Sequence, residues 1–485
     1  MAHTGEWHGV GNTPGGIQKV PTKIMGFDEV LNGGLPQGSL TLLCGGPGTG
    51  KTMMGLEFLV RGVQAGHPGI LLTFEEKEAA LRSYALGFGW DIQALEAENR
   101  LALVCARIQP DAVLSGDFDL RGILGMLNYK IETIKATRIL IDAPDVFLHL
   151  LGNIAKERAE LYVLNEWLQQ KGITVLMTVK GVSGGGSLFN YEFLEYMADC
   201  VIYLDQRVYD QITTRRLRVV KYRGSTYSRN EYPFSITSEG VWIIPVTRTN
   251  LRHHGFGEAI SSGVPGLDAI IDGGFRRNSC TLITGNSGTG KTTFACSFVE
   301  SVTSKNERLL YLDFEESWDA LVSCMLSPGI DLTKALESQN LRFVSSMPES
   351  QGIEEHLIQA FREIETFRPA HLIVDAISAC RRMGSPRAAF DYLLRLIDHC
   401  KQSGITTVLT NLTDAADPRD ELTGIDLSSV IDSVLILRNK EVNGQFKREL
   451  AILKSRGRRH SSLLHEFEIT EGGIVIKPRE DSHDQ

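Results

Sequence analysis

Apolar residues along this chain fall in short unbroken runs rather than in polar–apolar alternation. SLTLLC, GILLTF, LALVCA, RILIDA, ITVLMTV and DCVIYLD follow one another between Ser39 and Asp205. Runs of this kind suit strands of a parallel sheet buried on both faces. Between them lie stretches with helical spacing, such as MMGLEFLVRG and AELYVLNEWLQQKG. The order then starts again, with CTLITG, RLLYLDF, LRFVSS, HLIVDA, TTVLTN and SVLILR. Each half closes with a turn-rich, hairpin-like tail, EYPFSITSEGVWIIPV or LLHEFEITEGGIVIKP. Strand–helix alternation predicts an α/β fold, a doubly wound and mostly parallel sheet with ligands at the carboxyl ends of its strands.

The second half is a duplicate of the first. Lys51 returns as Lys291, Gly33-Gly34-Leu35 as Gly273-Gly274-Phe275, and Glu75-Glu76 as Glu315-Glu316, each 240 positions on. Asp142 returns as Asp375, Lys221 as Lys454 and Arg223 as Arg456, each 233 positions on. One shortening in the second copy explains the change of offset. A period this long describes whole domains rather than a solenoid repeat. The expected layout is an arm at 1–22, a first domain at 23–247, a linker at 248–261, a second domain at 262–478 and a short tail at 479–485.

Each copy holds G-x-x-x-x-G-K-[ST] between a strand and a helix: GGPGTGKT at Gly45–Thr52 and GNSGTGKT at Gly285–Thr292. In such a phosphate loop the glycines let the backbone wrap a nucleotide's phosphates, with N–H groups pointing inward at a helix N-terminus. The nucleotide-binding set is Gly45, Gly48, Thr49, Gly50, Lys51 and Thr52, with Gly285, Gly288, Thr289, Gly290, Lys291 and Thr292 in the second copy. Lys51 and Lys291 are expected to neutralise phosphate oxygens, and Thr52 and Thr292 to hold Mg²⁺ of bound ATP. Asp142 and Asp375 end apolar strands, where a carboxylate fits the second Mg²⁺ contact or caps the next turn.

Adjacent carboxylates at a strand end suit the activation of an attacking water or hydroxyl. Glu75, Glu76, Glu315 and Glu316 are therefore the catalytic candidates, although an acid at a helix start is also favoured by the dipole. Lys221, Arg223, Lys454 and Arg456 lie late in each copy, far in sequence from the phosphate loops. They are solvated strand edges or cations that reach a neighbouring subunit's nucleotide, as arginine fingers do. The second reading requires a ring.

Composition narrows the class. The chain has 485 residues, 42% hydrophobic and 22% charged, as in ordinary globular proteins. No apolar run approaches the roughly 18 residues of a membrane span. A polar start without a secretory stretch, and eight scattered cysteines without CxxC, suggest buried free thiols in a reducing cytoplasm. The net charge of −9 and a single basic cluster, Arg456–His460, argue mildly against a dedicated nucleic-acid binder.

With these motifs in place, the chain resembles the KaiC family, circadian-clock ATPases and autokinases of the RecA-like superfamily. The similarity runs from about Lys23 to Pro478. It rests on KIMGFDEVLNGGLPQGS, both phosphate loops, TFEE and DFEE, GFGWDI, KYRG, EYPFSITSEG, ISSGVPGLD and the final KSRG. The resemblance implies two tandem RecA-like P-loop domains and an ATP-dependent homohexamer with nucleotide at subunit interfaces. It also implies an ATPase in the first domain and a Ser/Thr autokinase in the second. The family's phosphoacceptors map to Ser428 and Ser429 in LTGIDLSSVIDSVLILR, with Thr423 as an auxiliary hydroxyl. The repeat offset pairs Ser428-Ser429 with Glu195-Tyr196 and Thr423 with Asn190, so the hydroxyl pair belongs to the second copy alone.

Two features depart from the clock proteins. Ser-Ser replaces Ser-Thr, which leaves an ordered phosphorylation cycle open. Only KPREDSHDQ follows GGIVI, where the clock protein has a longer tail gripped by KaiA, so dependence on KaiA is not expected. Binding of a KaiB-like protein to the first ring is implied by resemblance only. Two other classes stay open: a RecA/RadA-type DNA-dependent ATPase, which would want DNA-binding loops, and a signalling scaffold that binds ATP mainly to assemble.

Overall fold

The computed structural model describes residues 16–106, 120–145, 148, 153–181, 192–209, 212–245, 253–413 and 427–477. The terminal arm before residue 16, Thr423, Asn190 and the tail after 477 lie outside them. The chain forms two compact units, the first ending at Val246 and the second beginning at Thr247, apart from Tyr209–Ile212.

In the first unit the strands are β1 (Leu40–Gly45), β2 (Gly69–Thr73), β3 (Leu101–Cys105), β4 (Arg138–Asp142), β5 (Thr174–Lys180), β6 (Cys200–Tyr209), β7 (Ile212–Tyr222), β8 (Glu231–Thr237) and β9 (Gly240–Ile243). They form one nine-stranded sheet in the order β3-β2-β4-β5-β1-β6-β7-β8-β9. The strands from β3 to β6 in this order pair in parallel. The hairpin-like tail extends the sheet, with β8 antiparallel to both β7 and β9.

The second unit repeats this order. Its strands are β10 (Cys280–Gly285), β11 (Leu309–Asp313), β12 (Leu341–Ser345), β13 (His371–Asp375), β14 (Thr406–Leu412), β15 (Ser433–Val442), β16 (Gln445–Ser455), β17 (His465–Thr470) and β18 (Gly473–Ile476). The sheet runs β12-β11-β13-β14-β10-β15-β16-β17-β18.

The unbroken apolar runs have the expected cause. Helices cover both faces of each sheet, so both sides of a central strand are core. In β1, Leu43 packs on one face with Met54, Phe58 and Leu59 of helix α1 (Lys51–Gln64). Leu42 packs on the other with Leu161, Leu164 and Leu168 of helix α2 (Ile154–Lys171). Each such side chain fully buried contributes about 1.5–3 kcal/mol. In the second unit, helix α3 (Lys291–Thr303) follows the phosphate loop, and helix α4 (Pro386–Gln402) leads into β14.

The Gly-Gly turns have a steric cause. Gly34 sits at φ 125° where Lys19–Val20 pairs with Leu35–Pro36, and a Cβ there would lie 2.2 Å from the Val20 carbonyl oxygen. Six of the eight cysteines are buried; Cys105 is half-buried and Cys324 is exposed, a correction to the expectation of uniformly buried thiols.

Candidate functional site

β1 and β10 are central strands, and each phosphate loop springs from the carboxyl end of one of them. Here the sheet order reverses, with β5 on one side of β1 and β6 on the other, which is where α/β sheets bind ligands. Gly50 and Gly290 take left-handed conformations at φ 96° and 97°, each as the cap of the following helix. Gly48 and Gly288 are left-handed too, so the loops curl over the helix N-termini without Cβ strain.

Thr49 Oγ1 donates to the Gly46 carbonyl at 2.9 Å, and Thr289 Oγ1 to the Asn286 carbonyl at 2.8 Å. Lys51 Nζ donates to the carbonyls of Gly45 and Gly46, both at 2.8 Å; Lys291 Nζ does the same with Gly285 and Asn286 at 3.0 and 2.9 Å. Burial lowers both lysine pKa values from the usual range, opposed by Asp142 in the first unit and Asp375 in the second.

Asp142 ends β4, two strands from β1 across β5. Its carboxylate accepts from Thr52 at 2.9 Å and from Thr178 of β5. Burial raises its pKa, and these two bonds and Lys51 pull it back. A hydroxyl and a carboxylate facing each other beside an ammonium and a helix N-terminus form a donor set suited to a triphosphate with a hard cation.

In the second unit the carboxylate of Asp375 accepts from Tyr311 at 2.7 Å and from Thr410. Leu71 holds the position of Tyr311 in the first unit, 240 residues earlier. The structure thus gives the Asp375 carboxylate Tyr311 and Thr410 as partners, where the Asp142 carboxylate has Thr52 and Thr178.

The glutamate pairs follow β2 and β11, strands that neighbour β4 and β13. Thr73 is in register with Asp142, and Asp313 with Asp375. Phe74 N–H donates to the Asp142 carbonyl and Phe314 N–H to that of Asp375. Glu75–Glu76 and Glu315–Glu316 thus stand beside the two aspartates at the edge from which the loops spring. The turn carrying each pair is fixed by the last strand residue. Thr73 Oγ1 accepts from Glu76 N–H at 3.2 Å; Asp313 Oδ1 accepts from Glu315 and Glu316 N–H at 2.8 and 2.7 Å. Asp313 is 2% exposed, and burial pushes its pKa up to about 7 despite those two bonds.

Sequence reasoning missed Asp313, Thr178, Thr410 and Tyr311. It also missed Lys180 at the end of β5, whose Nζ lies 3.5 Å from Glu75 Oε2 while its N–H donates to Asp145. The available signal was position: each is at or near a strand end on the loop side of its sheet.

The late cations lie elsewhere. Lys221 Nζ donates to the carbonyls of Glu195 and Tyr196 at 2.7 and 3.1 Å, and Arg223 to that of Tyr196 at 2.8 Å. Lys454 Nζ donates to the Ile431 carbonyl at 2.7 Å, and Arg456 to that of Ser429 at 3.1 Å. Ser428 and Ser429 belong to a 3-10 turn, Leu427–Ser429, just before β15. That turn docks at the start of β10, where Asp432 N–H donates to the Cys280 carbonyl at 2.8 Å. The phosphate loop leaves the other end of the same strand, after Gly285. Five residues of parallel strand span about 16 Å. Within the second unit, Lys454, Arg456 and the serine turn are separated from the phosphate loop by the length of β10.

Among the described residues, no group of three or more His, Cys, Asp or Glu is placed to hold a metal ion, and no helix is long and apolar enough to cross a membrane.

A profile of the KaiC ATPase family matches residues 20–248 and again 260–481. The circadian clock protein KaiC2 of Synechocystis sp. is 40% identical over 462 residues, spanning 94% of this chain and 81% of the relative. KaiC3 of the same organism is 33% identical over 464 residues, 95% of this chain and 92% of the relative. The circadian clock oscillator protein KaiC of Thermostichus vulcanus is 35% identical over 463 residues, 95% of this chain and 89% of the relative. Two matched phosphate-loop units and similarity along both of them lead to one conclusion: the chain belongs to the KaiC family of ATPases.

Proposed function

We propose that the chain is an ATP-driven autokinase that works as a homohexamer, hydrolysing ATP in the first unit and phosphorylating Ser428 and Ser429 in the second. In the first unit, Lys51 and the loop N–H groups hold the phosphates, and Glu75 or Glu76 takes the proton of the attacking water. Mg²⁺, held by Thr52 and Asp142, supplies charge neutralisation at the phosphates when bound. In the second, the γ-phosphoryl group passes from ATP to a serine Oγ. The serine proton goes to Glu315, or to its neighbour Glu316, and ADP leaves. Thr292 and Asp375 are the corresponding metal-side groups.

The observation that carries this reading is the separation along β10. The serine turn and the cations Lys454 and Arg456 sit at the start of the strand, and the chain's own phosphate loop sits at its end. A head-to-tail ring resolves that separation by bringing one subunit's turn to its neighbour's nucleotide. Lys454 and Arg456 would then stabilise charge on the phosphoryl group in transit, and Lys221 and Arg223 would do so in the first ring. The relatives' names refer to circadian timing, and a timing or signalling role for this chain is part of the proposal.

Phosphopeptide mass spectrometry of purified protein incubated with Mg-ATP tests it. Label on the peptide containing Ser428 and Ser429 is expected. Sustained hydrolysis with no label there contradicts the kinase reading.

A further inference from the structure

Three consecutive carbonyls, beginning with that of the second serine, each accept from a different cation. Arg456 takes Ser429, Lys401 Nζ takes Val430 at 2.7 Å, and Lys454 takes Ile431. Lys401 lies at the end of α4 and is 8% exposed. Its Nζ is also 2.8 Å from Asp432 Oδ2, and Asp432 is 2% exposed. The same Oδ2 accepts from Cys280 N–H at 2.9 Å, at the first residue of the strand that feeds the phosphate loop. Lys401 and Asp432 therefore tie three pieces of chain together: the end of α4, the residues just after the serine turn, and the start of β10.

The first unit keeps the backbone frame, and Asp199 pairs with Arg223 at 3.4 Å as Asp432 does with Arg456 at 3.6 Å, but it lacks the lysine pair. Asp199 N–H donates to the Leu40 carbonyl, as Asp432 N–H does to Cys280, and Arg223 N–H donates to Asp199 as Arg456 N–H does to Asp432. Gly172 and Gly404 end the two corresponding helices, and counting back from them aligns Lys401 with Gln169. Gln169 is exposed, and the side chain of Asp199 is 33% exposed against 3% for Asp432. Burying an ammonium and a carboxylate costs desolvation that their attraction offsets only with good geometry, so such a pair is a poor source of stability. Its presence only in the unit that carries the serines calls for another role.

We propose that Lys401, with Asp432 as its counter-ion, is a positioning residue for the phosphoacceptor. By holding the Val430 carbonyl it fixes the Leu427–Ser429 turn against the start of β10, and so sets where the serines are presented to a neighbouring nucleotide. This rests on the autokinase reading above.

Removing Lys401 alone would leave the buried Asp432 carboxylate with Arg456, 3.6 Å away, as its remaining cation, so the informative variant is the neutral pair Lys401→Met plus Asp432→Asn. Lys401→Arg serves as the conservative comparison. The readouts are the initial rate of labelling at Ser428 and Ser429 at saturating Mg-ATP, the KM for ATP, steady-state hydrolysis and the melting temperature. A misplacement of about 1 Å costs reacting groups up to about 100-fold in rate. Labelling by the neutral pair should fall at least about tenfold on that scale, with KM, hydrolysis and melting unchanged, and Lys401→Arg should restore most of it. Labelling at the wild-type rate overturns the inference. So does a loss of labelling that tracks equal losses of hydrolysis and melting temperature, because that is a structural role only. An unlabelled wild-type chain overturns the autokinase reading and this inference with it.

Discussion

The hydroxyl of Thr52 donates to the carboxylate of Asp142 across 2.9 Å, joining the phosphate loop to a strand two places away in the sheet. Asp375, the counterpart of Asp142, is instead held by Tyr311 and Thr410. The two phosphate-loop units therefore share a frame and differ in how this aspartate is restrained.

Asp142→Asn should weaken the use of Mg²⁺ in the first unit. In a chain whose second unit is silenced by Lys291→Ala, the Mg²⁺ concentration for half-maximal hydrolysis should rise about 10–100-fold, the range seen when a group orienting a metal site is removed. Titration of hydrolysis with Mg²⁺ checks it. An unchanged midpoint would separate Asp142 from the metal.

Replacing both Glu75 and Glu76 by Gln should lower steady-state hydrolysis by about 10²–10⁴-fold, the usual cost of losing a general base. Nucleotide binding, measured by calorimetry, should be retained. Persistent hydrolysis would move the turnover to the second unit or to another carboxylate.

Asp313 predicts a pH dependence of stability. Its folded pKa is raised to about 7 by burial, well above the ordinary Asp value of about 3.9. The folded state then binds the extra proton between those values. The stabilising contribution is full below about pH 4 and is lost as the pH rises through 7. Asp313→Asn keeps an acceptor for the two glutamate N–H groups and removes the titration. The variant should melt with wild type near pH 4 and above it at pH 8, at about 2–4 °C for each kcal/mol gained. Parallel melting curves across that range would refute the assignment.

Arg223→Ala should cut hydrolysis in the first unit by about 10³-fold or more if the guanidinium serves a neighbour's phosphate. Light scattering in saturating Mg-ATP should report about six times the subunit mass for the wild-type chain. A monomer at micromolar concentration under those conditions would remove any partner for these cations to serve.

Much of the fold is legible in the sequence because both faces of the central strands are core. Leu42 and Leu43 pack on opposite sides of β1, so the strand reads as an unbroken apolar run. The phosphate loops are legible because backbone curvature demands glycine at fixed places, as at Gly48 and Gly50. What stays hidden depends on which strands are neighbours. Nothing local in RLLYLDF shows that Tyr311 and Asp313 lie beside Asp375, since that requires β11 to pair with β13. Lys401 is hidden for the same reason. At the end of an amphipathic helix it reads as a solvated lysine until α4 is placed under the serine turn.

The central claim is transfer of phosphate between subunits, and mixed rings test it most directly. Chains carrying Lys291→Ala keep both serines but cannot position ATP in the second unit. Chains carrying Ser428→Ala and Ser429→Ala keep the ATP site but have no acceptor. Mixed and incubated with Mg-ATP, the Lys291→Ala chains should become labelled at Ser428 and Ser429. Label on neither variant in the mixture, with wild type labelled normally, would mean transfer within one subunit and would contradict the account.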